Sequence, residues 1–312
     1  VLLPAYNAGG YLRPAVDSIL RQSFTNIELL IIDDGSTDDS FSTLQDIDDP
    51  RVIIFHQKNS GKAVALNRAL DILKGQFWLI QDADDLSYPN RIEWLLQKFN
   101  EHPELSAVFS GHDLLMGTTR FAPTCSSLTT NQCRNEILNF RIPAHDATGM
   151  YRTSSIQKQK FDPALRIGQG VDFILRTGES HLICRIGRCL YTYRINFQSS
   201  IRKQPSNNNH WINSVMQKAC ARRGIDYTQE NHSQPTTKSS TQTQSHLNHI
   251  VSHCMDSVVD LKQLRHLIKA IQTGLICARI SPLELSFYKP LIYSLLPIQL
   301  IMEYRKRKFE SR

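Results

Sequence analysis

Short apolar runs separated by amphipathic stretches set the rhythm of the first hundred residues. Val1 to Leu3, Ile27 to Ile32, Val52 to Phe55, Phe77 to Ile80 and Ala107 to Ser110 are too short for helices and read as buried strands. Between them, Tyr11 to Gln22, Lys62 to Leu73 and Pro89 to Asn100 carry helical spacing. The first turns Leu12, Val16, Ile19 and Leu20 to one face and tolerates Pro14 in its first turn; the last does the same with Ile92, Leu95, Leu96 and Phe99. Strands alternating with helices at this spacing predict an α/β domain whose mostly parallel sheet is covered on both faces. After about Gly111 the alternation weakens. Thr118 to Cys133 reads as loop, Asp172 opens a short helix, and Ile183 to Ile195 suits one or two strands. From Gln198 to about Ser245 the chain is polar and of low complexity, a linker or disordered insert. Helical spacing returns from Leu247 to Arg279 and stops at Ser281-Pro282. The apolar tail Leu283 to Tyr304 is interrupted by Glu284, Lys289, Pro290 and Pro297 and followed by Arg305-Lys306-Arg307-Lys308.

The polar residues that end these strands carry the chemistry. Trp78-Leu79-Ile80-Gln81 runs into Asp82-Ala83-Asp84-Asp85, three carboxylates with no neighbouring base in sequence. Residues i and i+2 of extended chain share a side, so Asp82 and Asp84 come together and the small Ala83 leaves room for a ligand. Paired carboxylates repel, and a hard cation such as Mg²⁺, bound with phosphate oxygens, relieves the repulsion. The plainer alternative is a solvated acidic turn capping the next helix. Two other strands end in Pro4-Ala5-Tyr6-Asn7 and in Asp33-Asp34-Gly35-Ser36-Thr37-Asp38, the latter a glycine turn with an N-cap cluster. Ligands of open α/β sheets lie beyond such carboxyl ends, so these loops are expected to converge on one ligand.

Composition narrows the partners. The chain has 312 residues, 41% of them hydrophobic, and 36 Lys and Arg against 29 Asp and Glu leave a net charge of +7. That balance favours anionic ligands without choosing among them. Nucleic acid has only the charge in its favour, and no nucleic-acid partner is expected. The seven cysteines, Cys125, Cys133, Cys184, Cys189, Cys220, Cys254 and Cys277, form no C-x-x-C pair and read as reduced thiols of a cytoplasmic protein. The chain starts inside a strand without a Met, so a few residues are expected to precede Val1. No apolar run is long enough for a confident transmembrane helix, but the basic-flanked tail is suited either to peripheral contact with an anionic membrane surface or to packing on protein. Gly61-Lys62 lacks the preceding glycine and the following Ser or Thr of a phosphate-binding loop. A phosphoacceptor receiver would place its acidic pair after the first strand, where Pro4-Ala5-Tyr6-Asn7 stands instead.

Taken in order, Pro4-Ala5-Tyr6-Asn7, Asp33-Asp34-Gly35-Ser36-Thr37-Asp38, Asn59-Ser60-Gly61-Lys62 leading to Asn67, Asp82-Ala83-Asp84-Asp85 with Pro89 and Arg91, and Gly170-Val171-Asp172 resemble the glycosyltransferase family 2 enzymes over roughly residues 1 to 200. The resemblance implies a GT-A, Rossmann-like fold with a C-terminal helical extension. It implies a nucleotide-sugar-binding half over residues 1–110 and an acceptor half over 111–200, followed by the linker, 201–245, and a helical region, 246–312. Pro4, Ala5 and Tyr6 would line the base pocket and Asp34 would accept from the base N–H, favouring uracil. Gly61 and Lys62 would face the pyrophosphate, with Ala83 beside the donor. Asp82 would lie near the ribose and metal, and Asp84 would coordinate Mg²⁺ or Mn²⁺. Asp172 would be the catalytic base of an inverting single displacement onto a hydroxyl of a saccharide or lipid-linked acceptor, at the cytoplasmic face of the membrane in synthesis of cell-surface glycans. Val171 replaces the usual acidic residue before the base. Tyr193-Arg194-Ile195-Asn196 stands in place of a processive signature and resembles the non-processive pattern with Asn for His. Those departures keep open a second reading, a transferase-like nucleotide-binding module with impaired catalysis.

Overall fold

The computed structural model describes residues 1–156, 158–195, 209–227, 242–283 and 285–310, and it falls into two compact units. The first comprises Val1–His112, Ser127–Arg194 and Asn207–Pro235, the second Asp113–Ser126, Ile195–Ser206 and Thr236–Arg312.

In the first unit the early apolar runs become β1 (Leu2–Ala5), β2 (Leu29–Asp33), β3 (Val52–His56) and β4 (Phe77–Leu79), with α1 (Leu12–Leu20) and α2 (Lys62–Ile72) between them. β1, β2 and β3 form a parallel sheet in that order, and Leu2 bridges in parallel to Ile80, just past β4. β1 therefore has β2 on one side and the end of β4 on the other. The winding reverses between β1 and β4, and the loops after those strands diverge there to leave a crevice. The loops in question begin at Tyr6-Asn7 and carry Asp82 to Asp85.

Alternation along each strand builds the two faces. Leu30 and Ile32 of β2 join Trp78 and Ile80 in one apolar cluster, with Ala65, Leu66 and Ala69 of α2. Leu29 and Ile31 join Leu79 in the opposite cluster, with Val16 and Ile19 of α1. Further on come β5 (Leu86–Ser87), α3 (Arg91–Glu101), β6 (Ala107–Met116), β7 (Thr119–Phe121), α4 (Thr130–Leu138), β8 (Gly149–Arg152), α5 (Thr153–Ile156), α6 (Gln169–Ser180), β9 (Ile183–Arg194) and α7 (Asn209–Arg223). Their sheet has the order β4-β8-β6-β9-β5, with β7 on β6. The expected α/β class holds, but the parallel run ends at β4: β4–β8, β6–β8, β5–β9 and β6–β7 all pair antiparallel.

Two stretches depart from their sequence patterns. The span 118–133, read as loop, contains β7 and the start of α4, whose Thr129 and Gln132 make a reciprocal capping box that the Ser- and Thr-rich composition hides. Within 201–245, read as linker, residues 209–223 form α7. Val215, Met216 and Ala219 bury one side of α7 in the first cluster, although polar neighbours dilute their spacing. Residues 201–208 and 228–241 of that span, together with Asn196, lie outside the described residues.

The second unit is built mainly of α8 (Gln242–Gln263), α9 (Leu267–Ile280), α10 (Lys289–Leu295) and α11 (Ile298–Glu310). The single periodic stretch from Leu247 to Arg279 is broken after α8, where Arg265 takes φ 60°. The Asp260 carboxylate accepts from the Cys125 and Ser126 backbone N–H groups at 2.9 and 3.0 Å, tying α8 to the segment after β7. Among the described residues no helix is long and apolar enough to cross a membrane.

Candidate active site

The loops after β1, β2 and β4 meet as their positions require. Asn7, at φ 48°, accepts from the Thr37 N–H at 2.7 Å and donates to its hydroxyl at 3.2 Å, locking the β1 loop to the β2 loop. Tyr6, one residue earlier, is left 43% exposed, while Pro4 and Ala5 are buried in the strand. Asp34 is buried beneath the loop before α2. One of its oxygens accepts from Gln57 at 2.7 Å and the Ser60 N–H at 2.8 Å, and the other from the Gly61 N–H at 2.8 Å. Gly61 has φ 95°, which a side chain would strain, and it aims the start of α2. Asp34 thus builds the loop that presents Lys62.

Lys62 is the electrostatic centre of the site. Its Nζ lies 2.6 Å from Asp82 and 3.7 Å from Asp146. Burial, the largest single influence, pushes its pKa down, but Asp82, Asp146 and Asp84 outweigh it and hold the ammonium well above its ordinary value. Asp146 is held below the ordinary carboxylate range: burial opposes this, and Lys62 and His145 overcome it. Asp84 has the reverse problem. Burial first, and then the neighbouring Asp82 charge, raise its pKa.

The third carboxylate of the cluster is scaffold. Asp85 is buried and accepts from the Tyr191 hydroxyl at 2.8 Å and the Arg194 N–H at 2.8 Å, while the Arg194 Nε donates to the Asp84 carbonyl at 2.8 Å. Ala83 is buried, in the same apolar cluster as Leu79, Ile92 and Leu95, so its small side chain contributes to packing beneath the loop. Under this loop lies Arg91, fully buried. It donates to the Ser87 hydroxyl at 2.8 Å, the Ile80 carbonyl at 3.2 Å and the Ala147 carbonyl, and stacks 4.9 Å from the Tyr191 ring centre. Burial lowers its pKa to about 10.

Asp172 is placed differently from the role its motif implies. It lies in the first turn of α6 at 2% exposure. Arg176, one turn on, grips it at 2.7 and 2.8 Å, and Arg222 of α7 lies 3.4 Å away. Two guanidinium groups hold its lone pairs, so the carboxylate is a structural tie between α6 and α7. The residue that faces Lys62 from the α6 side is Asp146, which carries no motif and stands 26 positions earlier in a short 3-10 turn, Asp146–Thr148. Only the fold brings it in.

Two carboxylates offer hard oxygen donors, and one of them is destabilised as an anion. That set fits Mg²⁺ or Mn²⁺, for which a carboxylate or two, phosphate oxygens and water suffice. Among the described residues no group of three or more His, Cys, Asp or Glu is assembled for a metal, so protein ligands alone would not complete the shell.

Residues 1–160 match the model of glycosyl transferase family 2. The chain belongs to that family. Glycosyltransferase GlyG of Streptococcus pneumoniae is 41% identical over 104 residues, which cover 32% of this chain and 35% of that protein. The chain thus spans about a third of the length of the curated relatives it matches. Among solved structures, S. aureus TarS 1–349 in complex with UDP-GlcNAc covers 97% of this chain and 90% of its own, at TM-score 0.57 and 14% identity. Mycobacterium tuberculosis glucosyl-3-phosphoglycerate synthase, in complex with Mn²⁺, UDP and glucosyl-3-phosphoglycerate, covers 72% and 80%, at TM-score 0.51 and 17% identity. At these identities the likeness establishes the shared GT-A fold. The family match ends before α6, so it carries no information on Asp172.

Proposed function

We propose that this family member transfers a sugar from a nucleoside diphosphate donor, a UDP-sugar, to a hydroxyl of a saccharide or lipid-linked acceptor by a single inverting displacement. The observation that carries this reading is the Lys62, Asp82 and Asp84 cluster at the crevice where β1 and β4 part. Tyr6 is exposed at the same edge and offers a face for a pyrimidine ring. The N-terminus of α2 and Lys62 supply positive charge for a diphosphate. Asp82 and Asp84 would hold Mg²⁺ or Mn²⁺, which when bound supplies Lewis-acid stabilisation of the leaving diphosphate. The UDP and UDP-GlcNAc in structures of the same fold support the choice of donor.

Contact of the C-terminal tail with the cytoplasmic face of a membrane is part of the proposal, supported by Leu295, Leu300 and Met302, which stand exposed on α10 and α11. A second reading, a nucleotide-binding module with impaired catalysis, draws on the two arginines that hold Asp172.

One experiment separates the readings: calorimetry with UDP and a panel of UDP-sugars, with and without Mn²⁺, alongside measured UDP release. Binding that needs Mn²⁺ together with UDP release supports the transferase, and binding without release supports the module. No binding of UDP under either condition rejects both. Tyr6→Ala is expected to weaken UDP about tenfold, the size of one lost base–aromatic stack. An unchanged affinity would remove Tyr6 from the base pocket.

A further inference from the structure

Resting on the donor site just proposed, we infer that Asp146, and not Asp172, is the carboxylate that takes the acceptor's proton. Two independent placements argue for it. Asp172 is turned into the contact between α6 and α7 and gripped by Arg176 and Arg222. Asp146 shares the Lys62 ammonium with Asp82 and lies beside the first turn of α6.

Gly170 explains how this turn admits it. A Cβ at position 170 would stand 2.3 Å from the Asp146 Oδ2, so no residue other than glycine lets the carboxylate occupy that space. The first turn of α6 therefore presents backbone where a side chain would otherwise project, and the Asp146 carboxyl fills the volume. The neighbouring Gln169 side chain, 9% exposed, leaves its Oε1 without a hydrogen-bond partner.

Arg91 fixes the register between the two halves of the site. Its guanidinium donates to the carbonyl of Ile80, two residues before Asp82, and to that of Ala147, immediately after Asp146. The donor carboxylate and the acceptor carboxylate thus hang from one buried clamp. Lys62 pairs with both. A diphosphate arriving at Lys62 competes with Asp146 for the ammonium, which leaves Asp146 free to accept a proton once the donor is in place.

The step balances simply. The acceptor oxygen forms its bond to the anomeric carbon as the bond from that carbon to the diphosphate oxygen breaks. The diphosphate departs with the bonding electron pair, and the hydroxyl proton passes to an Asp146 Oδ. Water, as the smallest acceptor, follows the same course to give the free sugar.

The test uses the full chain, Mn²⁺, and UDP release from UDP-N-acetylglucosamine and UDP-glucose. Asp146→Asn is expected to lower kcat at least a hundredfold while the donor KM and the affinity for UDP change less than threefold. Asp172→Asn keeps hydrogen bonding to Arg176 and is expected to lose less than fivefold in kcat, its effect appearing instead as a lower melting temperature. Combining Asp146→Gly with Gly170→Asp removes the Cβ that would stand 2.7 Å from a side chain at 170, returns a carboxyl group to the same volume from the other wall and should recover at least tenfold over Asp146→Gly alone. Near-normal turnover by Asp146→Asn overturns the assignment and leaves the transferase reading intact. So does loss of turnover by Asp172→Asn at an unchanged melting temperature. A wild-type chain that binds UDP with Mn²⁺ but releases none from either sugar overturns this assignment and the transferase reading together.

Discussion

Replacement of Arg91 by alanine is expected to destabilise the first unit by about 3–5 kcal/mol, the cost of breaking a buried hydrogen-bonded charge system. Its guanidinium is fully buried and serves the Ser87 hydroxyl, two backbone carbonyls and the Tyr191 face. Truncation strands those acceptors away from water and opens a cavity beneath the loop that carries Asp82 and Asp84. Arg91→Met refills most of the volume but restores no donor, so it should remain destabilised by about 2 kcal/mol. Urea unfolding of the two variants measures both. If both midpoints match wild type, the clamp is decorative and the coupling between Asp82 and Asp146 must be sought elsewhere.

Asp84→Asn is expected to weaken UDP binding in Mn²⁺ by about 10–100-fold, a loss of about 1.4–2.8 kcal/mol. Binding in chelator should not change. The same substitution should stabilise the protein in the absence of ligand, and the sign follows from linkage. Burial and the Asp82 charge raise the Asp84 pKa in the folded protein, so whatever stability its protonated form contributes is present at low pH. That contribution is lost as pH rises from the ordinary carboxylate range through the raised value. At neutral pH the ionised group is a net cost, and the neutral amide removes it. A thermal melt at pH 7 together with calorimetry checks both halves. Unchanged affinity in Mn²⁺ would take Asp84 out of the metal site, and a lowered melting temperature would contradict the electrostatic account. The opposed effects are what a site built to bind, rather than to be stable, should show.

The arrangement also accounts for the cluster Asp82-Ala83-Asp84-Asp85 as a division of labour within four residues. Asp82 is neutralised by Lys62 and Asp84 is left strained for a ligand. Asp85 is turned inward to Tyr191 and Arg194, and Ala83 is packed into the core. Identical side chains take different roles because the chain turns here, the Asp85 N–H returning to the Asp82 carbonyl at 3.2 Å, and the surroundings differ around the turn.

Much of the first half was legible without coordinates. Central parallel strands are buried on both faces, so the apolar runs at 2–5, 29–33 and 77–79 announce themselves, whereas the strand at 52–56, read as buried, stands at the sheet edge with Ile53 and Ile54 exposed. Glycines, caps and acidic pairs in these loops act locally and leave a local mark. β7, the capping box of α4 and helix α7 were not legible, because their apolar positions are few and become decisive only against a core that other segments supply.

For the chemistry the boundary is sharper. The linear order of motifs pointed to the family, which the match over residues 1–160 bears out, and singled out Asp82 and Asp84 as the candidates proposed for the donor side. Which carboxylate faces the acceptor was decided by tertiary structure alone. Asp172 has the motif, but α7 arrives with Arg222 to join Arg176 in holding it. Asp146 has no motif, and it gains Lys62 from a helix more than eighty residues earlier and room from a glycine 24 residues later. A charge is defined by its residue, but its role is set by which opposite charges and empty volumes the fold places around it, and those come from segments distant in the chain.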